Sequence, residues 1–348
     1  MTVLSSLAIM SCTSDGGDSD VEGNIPIILT VDSSANATRA SFLQDVNLIS
    51  GQKLFVWAKR TNTSTDYLKT WVLTANGSGG FTNSTKYYPA DGTNLDLYAL
   101  HGNFNYTEDD VSLPTEALSH AVLTDQRSDA NYATSDLLAT RVTDKGPKGN
   151  AGGNSYKVPL SFSHLLCRIE IEITTLDYLD APDIDHIELV GVKTTNTVTM
   201  PTYSNASATV STATATPTAD IKMRAGSTHA IAECIIPAQS VAQNASFIRV
   251  VLVDNHTLTY KASQAFDFDN QKSYRFEMKI EASKIQAYSV TVKSWDELSN
   301  QIDYYVLQTI DNTETTVDET SSSSQDLYWE YGGGENGAEN LKGEDWFP

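Results

Sequence analysis

The sequence predicts an all-β protein built as two β-sandwich domains in tandem. Strict apolar/polar alternation, the period of a half-buried strand, recurs along the 348 residues. Clusters of Asn, Gly, Pro, Ser and Thr separate the alternating runs as turn signals. Amphipathic helical patterns are scarce; "DVSLPTEALSHAVLTDQRSDA" (110–130) reads as a loop with at most one or two helical turns.

Composition narrows the function. With 23 Lys+Arg against 44 Asp+Glu and a formal net charge of −21, the overall field repels nucleic acid, which is therefore not an expected partner. The 40% hydrophobic content suits a globular chain. No apolar run reaches the roughly 18 residues that a membrane-spanning helix needs.

Taken in order, residues 1–12, "MTVLSSLAIMSC", form a short apolar segment without a basic start and read as an incomplete secretory signal. Ile9-Met10-Ser11-Cys12 resembles the bacterial lipobox, in which the cysteine is lipidated, so an acyl anchor at Cys12 is expected. Residues 13–23 are an acidic tether. "GNIPIILTVDSSANATRA" then gives a first strand with Ile25, Ile27, Leu29 and Val31 on one face. Pro26 confines that strand to an edge or a start, because proline cannot donate to a ladder. Arg39, the first basic residue of the chain, follows in a run of small polar residues, as a solvated loop charge or a protease cut site.

The first domain spans 24–160, with strands at "KLFVWAK" and "LDLYALHG" and long loops suited to recognition. The Gly/Lys/Asn-rich "TDKGPKGNAGGNS" marks its end. In the second domain, 161–300, "LCRIEIEI" sets Cys167, Ile169, Ile171 and Ile173 on one face, continuing from Leu165, and Arg168, Glu170 and Glu172 on the other. "SYRFEMKI" turns Tyr274, Phe276, Met278 and Ile280 inward; "CIIPAQ", "FIRVVLVDNHTLTYKA" and "SVTVKSW" supply further strands. The tail, 301–348, holds an alternating "QIDYYVLQTI" with Ile302, Tyr304, Val306 and Ile310 on one face, then the low-complexity "DNTETTVDETSSSSQD" and "DLYWEY".

Motifs for chemistry are missing. The six histidines form neither H-x-x-H nor H-E-x-x-H, no C-x-x-C exists, and G-x-S-x-G and the P-loop are absent. Asp183/Asp185 and Asp267/Asp269 flank turns, where Asp supports backbone geometry. The reading therefore assigns no catalytic residue, no metal and no cofactor. Cys167 and Cys234 form either one disulfide or two small buried thiols. Trp57, Trp71, Tyr87 and Tyr88 are either a sugar-stacking platform or core aromatics.

These features, in this order, resemble the fimbrillin family of Bacteroidetes, the type V pilins and related surface lipoproteins: Cys12, "TRA" at 38–40, "GQKLFVWA", "ATSDLLAT" at 133–140, "VPLSFSHLLCRIEIEI", "CIIPAQ" and "QKSYRFEMKI" leading to "VTVKSW". The resemblance implies two transthyretin-like Greek-key sandwiches, export as an outer-membrane lipoprotein precursor through the acidic tether, and a mature form in the fimbrium. It further implies cleavage between Arg39 and Ala40 by an Arg-specific surface protease, removal of the strand within 24–39, and polymerisation by donor-strand exchange with other fimbrial subunits. On that basis "QIDYYVLQTI" is the leading donor strand and "DLYWEY" the second. Arg39 favours a stalk or tip subunit over an anchor. The alternative is a monomeric surface lipoprotein that binds a host glycan or protein.

Overall fold

The computed structural model describes residues 25–31, 48–147, 157–175, 184–214, 216–227, 229–281, 284–295, 303–306 and 314–317. The N-terminal half is built on an antiparallel sheet ordered β4 (Phe81–Thr82), β3 (Asp66–Ala75), β2 (Lys53–Arg60), β5 (Leu95–His101), β7 (Leu138–Lys145) and β9 (Ser163–His164). A parallel pair, β1 (Ile28–Val31) and β8 (Lys157–Leu160), packs on one face of it.

Both faces of that sheet are buried. Leu54, Val56 and Ala58 of β2 join Leu95, Leu97 and Ala99 of β5 in the cluster that receives β1 and β8. Phe55, Trp57, Tyr98 and Leu100, pointing the opposite way, belong to a second cluster that continues through the C-terminal half as far as Trp295. This explains why "KLFVWA" and "LDLYAL" read as unbroken apolar runs: a strand covered on both faces has no polar side to show.

The C-terminal half is a sandwich. One sheet runs β15 (Arg224–Ala225), β16 (Ile231–Ile236), β10 (Cys167–Thr175), β21 (Lys272–Glu281), β22 (Lys284–Ser294) and β23 (Asp303–Val306); only β10 and β21 are parallel among these neighbours. The other runs β14 (Thr218–Lys222), β11 (Ile184–Lys193), β18 (Ser246–Leu252), β19 (His256–Lys261) and β24 (Glu314–Val317). A short pair, β17 (Gln239–Val241) with β20 (Phe266–Phe268), closes one side and brings Phe266 and Phe268 against Phe247 and Phe276.

The two halves share a sheet. β6 (Leu118–Ala121), inside the stretch that the sequence marks as a loop, pairs with β12 (Thr195–Thr199), which pairs with β13 (Thr209–Ser211). Its signal is hidden because it is four residues long and its partner lies far along the chain. The helical turns expected nearby are α1 (Asp129–Ser135), capped by the Ser128 hydroxyl, which accepts from Asn131 N–H. Residues 148–156, which contain most of the expected linker, lie outside the described residues.

One expectation needs correction. The inward face of β10 is as read, but its polar face is not a solvent face: Arg168 is 3% exposed and Glu170 1%. Arg168 Nη2 pairs with Glu170 Oε1 at 2.9 Å, its Nε donates to Ser273 at 3.1 Å, and its guanidinium lies 5.3 Å from the Trp295 ring centroid. Period-2 alternation reports which face is apolar; it does not report whether the other is covered.

Candidate functional site

The candidate site is the first strand and its surroundings. Pro26 precedes β1, where a missing N–H is harmless, and Pro159 sits in the short β8. The parallel register runs from Ile28 opposite Lys157 to Val31 opposite Leu160. On its other side, Ile27 N–H donates to Lys86 C=O, Tyr88 N–H to Ile25 C=O and Val31 N–H to Gly79 C=O, each at 2.9 Å.

All four predicted side chains meet one cluster. Ile27 and Leu29 are buried in it, with Trp71, Leu73, Val158 and Leu160, while Ile25 and Val31 pack partly buried against it. Ile28, of opposite parity, is 40% exposed. Two full and two partial burials are worth roughly 4 to 9 kcal/mol as an upper bound, comparable to the total stability of a domain, roughly 5 to 15 kcal/mol.

Cys12, Arg39 and Ala40 lie outside the described residues. Val31 packs against the cluster and Leu48, in the left-handed region at φ 47°, is buried in it; residues 32–47, between them in sequence, lie outside the described residues. Of the proposed donor, Ile302 and Ile310 also lie outside, as does "DLYWEY". Tyr304 and Val306 belong to β23, where they stand opposite Thr291 and Ser289 of β22. β24 pairs with β19. Each described strand of the tail thus sits at the end of one sheet of its own chain.

The other singled-out residues are structural. Cys167 and Cys234 are free and buried; burial pushes both thiols well up, and Cys167 Sγ donates to Asp269 C=O at 2.8 Å. Trp57, Trp71 and Tyr88 are core, leaving Tyr87 as the exposed member of the aromatic set. His164 is buried, faces Asp136 at 2.8 Å and stacks on Trp295 with centroids 4.0 Å apart. Asp183 lies outside the described residues. Asp185 faces His186, Asp267 accepts from Ser240, and Asp269 N–H donates to Tyr274. Among the described residues no group of three or more His, Cys, Asp or Glu is arranged to hold a metal.

Side chains that join the halves carry no periodic signal and escape a reading of the sequence. Arg224, on β15, pairs at 2.6 Å with both Glu233 and Asp129 and lies over Tyr132 of α1. Arg141, on β7, pairs with Asp96 at 3.0 Å, sits between the rings of Tyr98 and Tyr203, and donates to the C=O of Thr202.

Residues 38–295 match the model of a family described as Fimbrillin-like. A candidate cell adhesion protein from Bacteroides uniformis shares the fold at a TM-score of 0.55 and 18% identity, over 79% of this chain and 99% of that one. Another, from Bacteroides ovatus, does so at 0.55 and 13%, over 82% and 99%. The tip fimbrial protein Mfa3 from Porphyromonas gingivalis aligns over 78% of this chain and 100% of its own at 9% identity and a TM-score of 0.44. No curated protein matches the sequence. With a family match that runs through both halves, from residue 38 to Trp295, the chain belongs to the fimbrillin-like family.

Proposed function

We propose that the protein is a structural, adhesive subunit of a cell-surface fimbrium, lipidated at Cys12 in its outer-membrane precursor and matured by cleavage between Arg39 and Ala40. Cleavage frees β1, and a neighbouring subunit's tail, with Tyr304 and Val306 in its donor strand, fills the vacated slot. The observation that carries this reading is the seat of β1. Ile25, Ile27, Leu29 and Val31 enter one apolar cluster from a peripheral strand whose C-terminal connection contains Arg39. Losing the strand opens an apolar slot between β8 and residues 79–88 that only another alternating strand matches.

The test is limited digestion of the mature protein with an Arg-specific protease, followed by mass spectrometry and electron microscopy. A new N-terminus at Ala40 with filaments or strand-exchanged oligomers, both lost in Arg39→Ala, supports the reading. Resistance of the loop, or cleavage that only unfolds the chain, sinks it.

A further inference from the structure

Backbone alternation along β1 fixes which groups face which neighbour. Ile25 C=O, Ile27 N–H and Val31 N–H all bond toward residues 79–88. The N–H and C=O of Leu29 therefore point the same way, and those of Ile28 and Thr30 point to β8. Pro26 and Tyr87 form an antiparallel bridge, and extending its register would pair Leu29 with Ser84. That pairing does not form. The chain bows away from β1, and Ser84 C=O accepts from the Trp71 indole N–H at 3.0 Å instead.

The interruption leaves a cavity of about 480 Å³. Ile27 to Leu29 form one wall, Trp71, Leu73 and Phe81 contribute apolar surface, and Asn83 to Thr85 form the opposite wall. Ile28 and Tyr87, each 40% exposed, also line it. A cavity that offers both the donor and the acceptor of one strand residue beside apolar side chains has the pattern that peptide backbone completes.

We propose that this gap binds a short extended peptide segment of another chain, whose backbone completes the ladder at Leu29 and whose apolar side chain fills the cavity toward Trp71 and Leu73. The unpaired stretch between Ile27 and Val31 spans about 13 Å at ~3.3 Å per residue, room for about three residues. This segment lies beside β1 and not in its place, so the site belongs to the chain that keeps β1 and is lost when cleavage at Arg39 frees the strand.

Amide exchange and NMR on the intact chain test the site. Leu29 N–H should exchange on the order of 100-fold faster than Ile27 and Val31 N–H. Millimolar acetyl-Thr-Ile-Thr-N-methylamide should shift the Leu29 amide and Trp71 indole resonances and slow Leu29 exchange. The fully N-methylated analogue, which cannot donate, should do neither. Thr85→Trp, on the cavity wall, should abolish the response while Ile27 and Val31 stay protected. A Leu29 amide already as protected as its neighbours, no response to the peptide, or an equal response to the methylated analogue, which would mark a pocket for any apolar molecule, each overturns the proposal.

Discussion

Gln126 holds Ile235 by both ends of its amide: its Oε1 accepts from Ile235 N–H at 2.9 Å, and its Nε2 donates to Ile235 C=O at 2.9 Å. The side chain is buried and acts as one missing strand residue along β16. The adjoining backbone continues the imitation, with Gln126 N–H donating to Lys222 C=O and Lys222 N–H to Thr124 C=O.

Gln126→Leu should therefore cost about 2 to 4 kcal/mol, because it strands two buried backbone groups without replacing either bond. Urea unfolding measures the loss. A cost below that of an ordinary surface substitution, about 0.5 kcal/mol, would show that water or a backbone shift repairs the gap.

The seat of β1 makes a parity prediction. Leu29→Ala should destabilise by about 2 to 4 kcal/mol, as core truncations do, whereas Ile28→Ala should stay within about 0.5 kcal/mol. Equal costs at the two positions would contradict the one-sided burial of the strand.

Two histidines should tilt the pH dependence of stability in opposite directions. His120, on β6, is buried against β12 with Nδ1 3.2 Å from Asn196 Oδ1, and burial holds its pKa down to about 4. An unfolded chain takes up this proton near the ordinary 6.5. The neutral ring thus contributes stability that is present above pH 6.5 and lost as pH falls toward 4, up to about 3 kcal/mol. His120→Gln should flatten that acid limb in urea titrations across pH 4 to 7.

His186 does the reverse. Its ring lies between Glu188 Oε1, at 3.0 Å, and Asp185 Oδ2, at 2.5 Å, and the bond to Glu188 is the largest cause raising its pKa. Arg249 bridges Glu188 to Asp220 at 2.8 Å each. The cationic ring contributes stability that is complete below the unfolded pKa and fades as pH rises through the raised folded value. His186→Gln should remove this decline on the neutral-to-alkaline side and leave the His120 limb in place.

Strands with one clean apolar face, such as β1, β10 and β21, were legible because alternation is a local property of the chain. The site was legible only in part: the four side chains of β1 follow from parity, but the break in pairing at Leu29 depends on a bow at residues 80–85 that no pattern announces. β6 escaped because four residues with a distant partner carry no period. Gln126, Arg141 and Arg224 escaped for a related reason, since a long polar side chain reads as surface until a second segment arrives to receive it.

The apolar cluster that runs from Phe55 through the shared strands to Trp295 also has a mechanical meaning. Bending one half away from the other would tear the β6–β12 ladder and wet a common interior, so the described residues of the two halves resist bending apart. A pull applied to one half is carried to the other through this shared ladder and core.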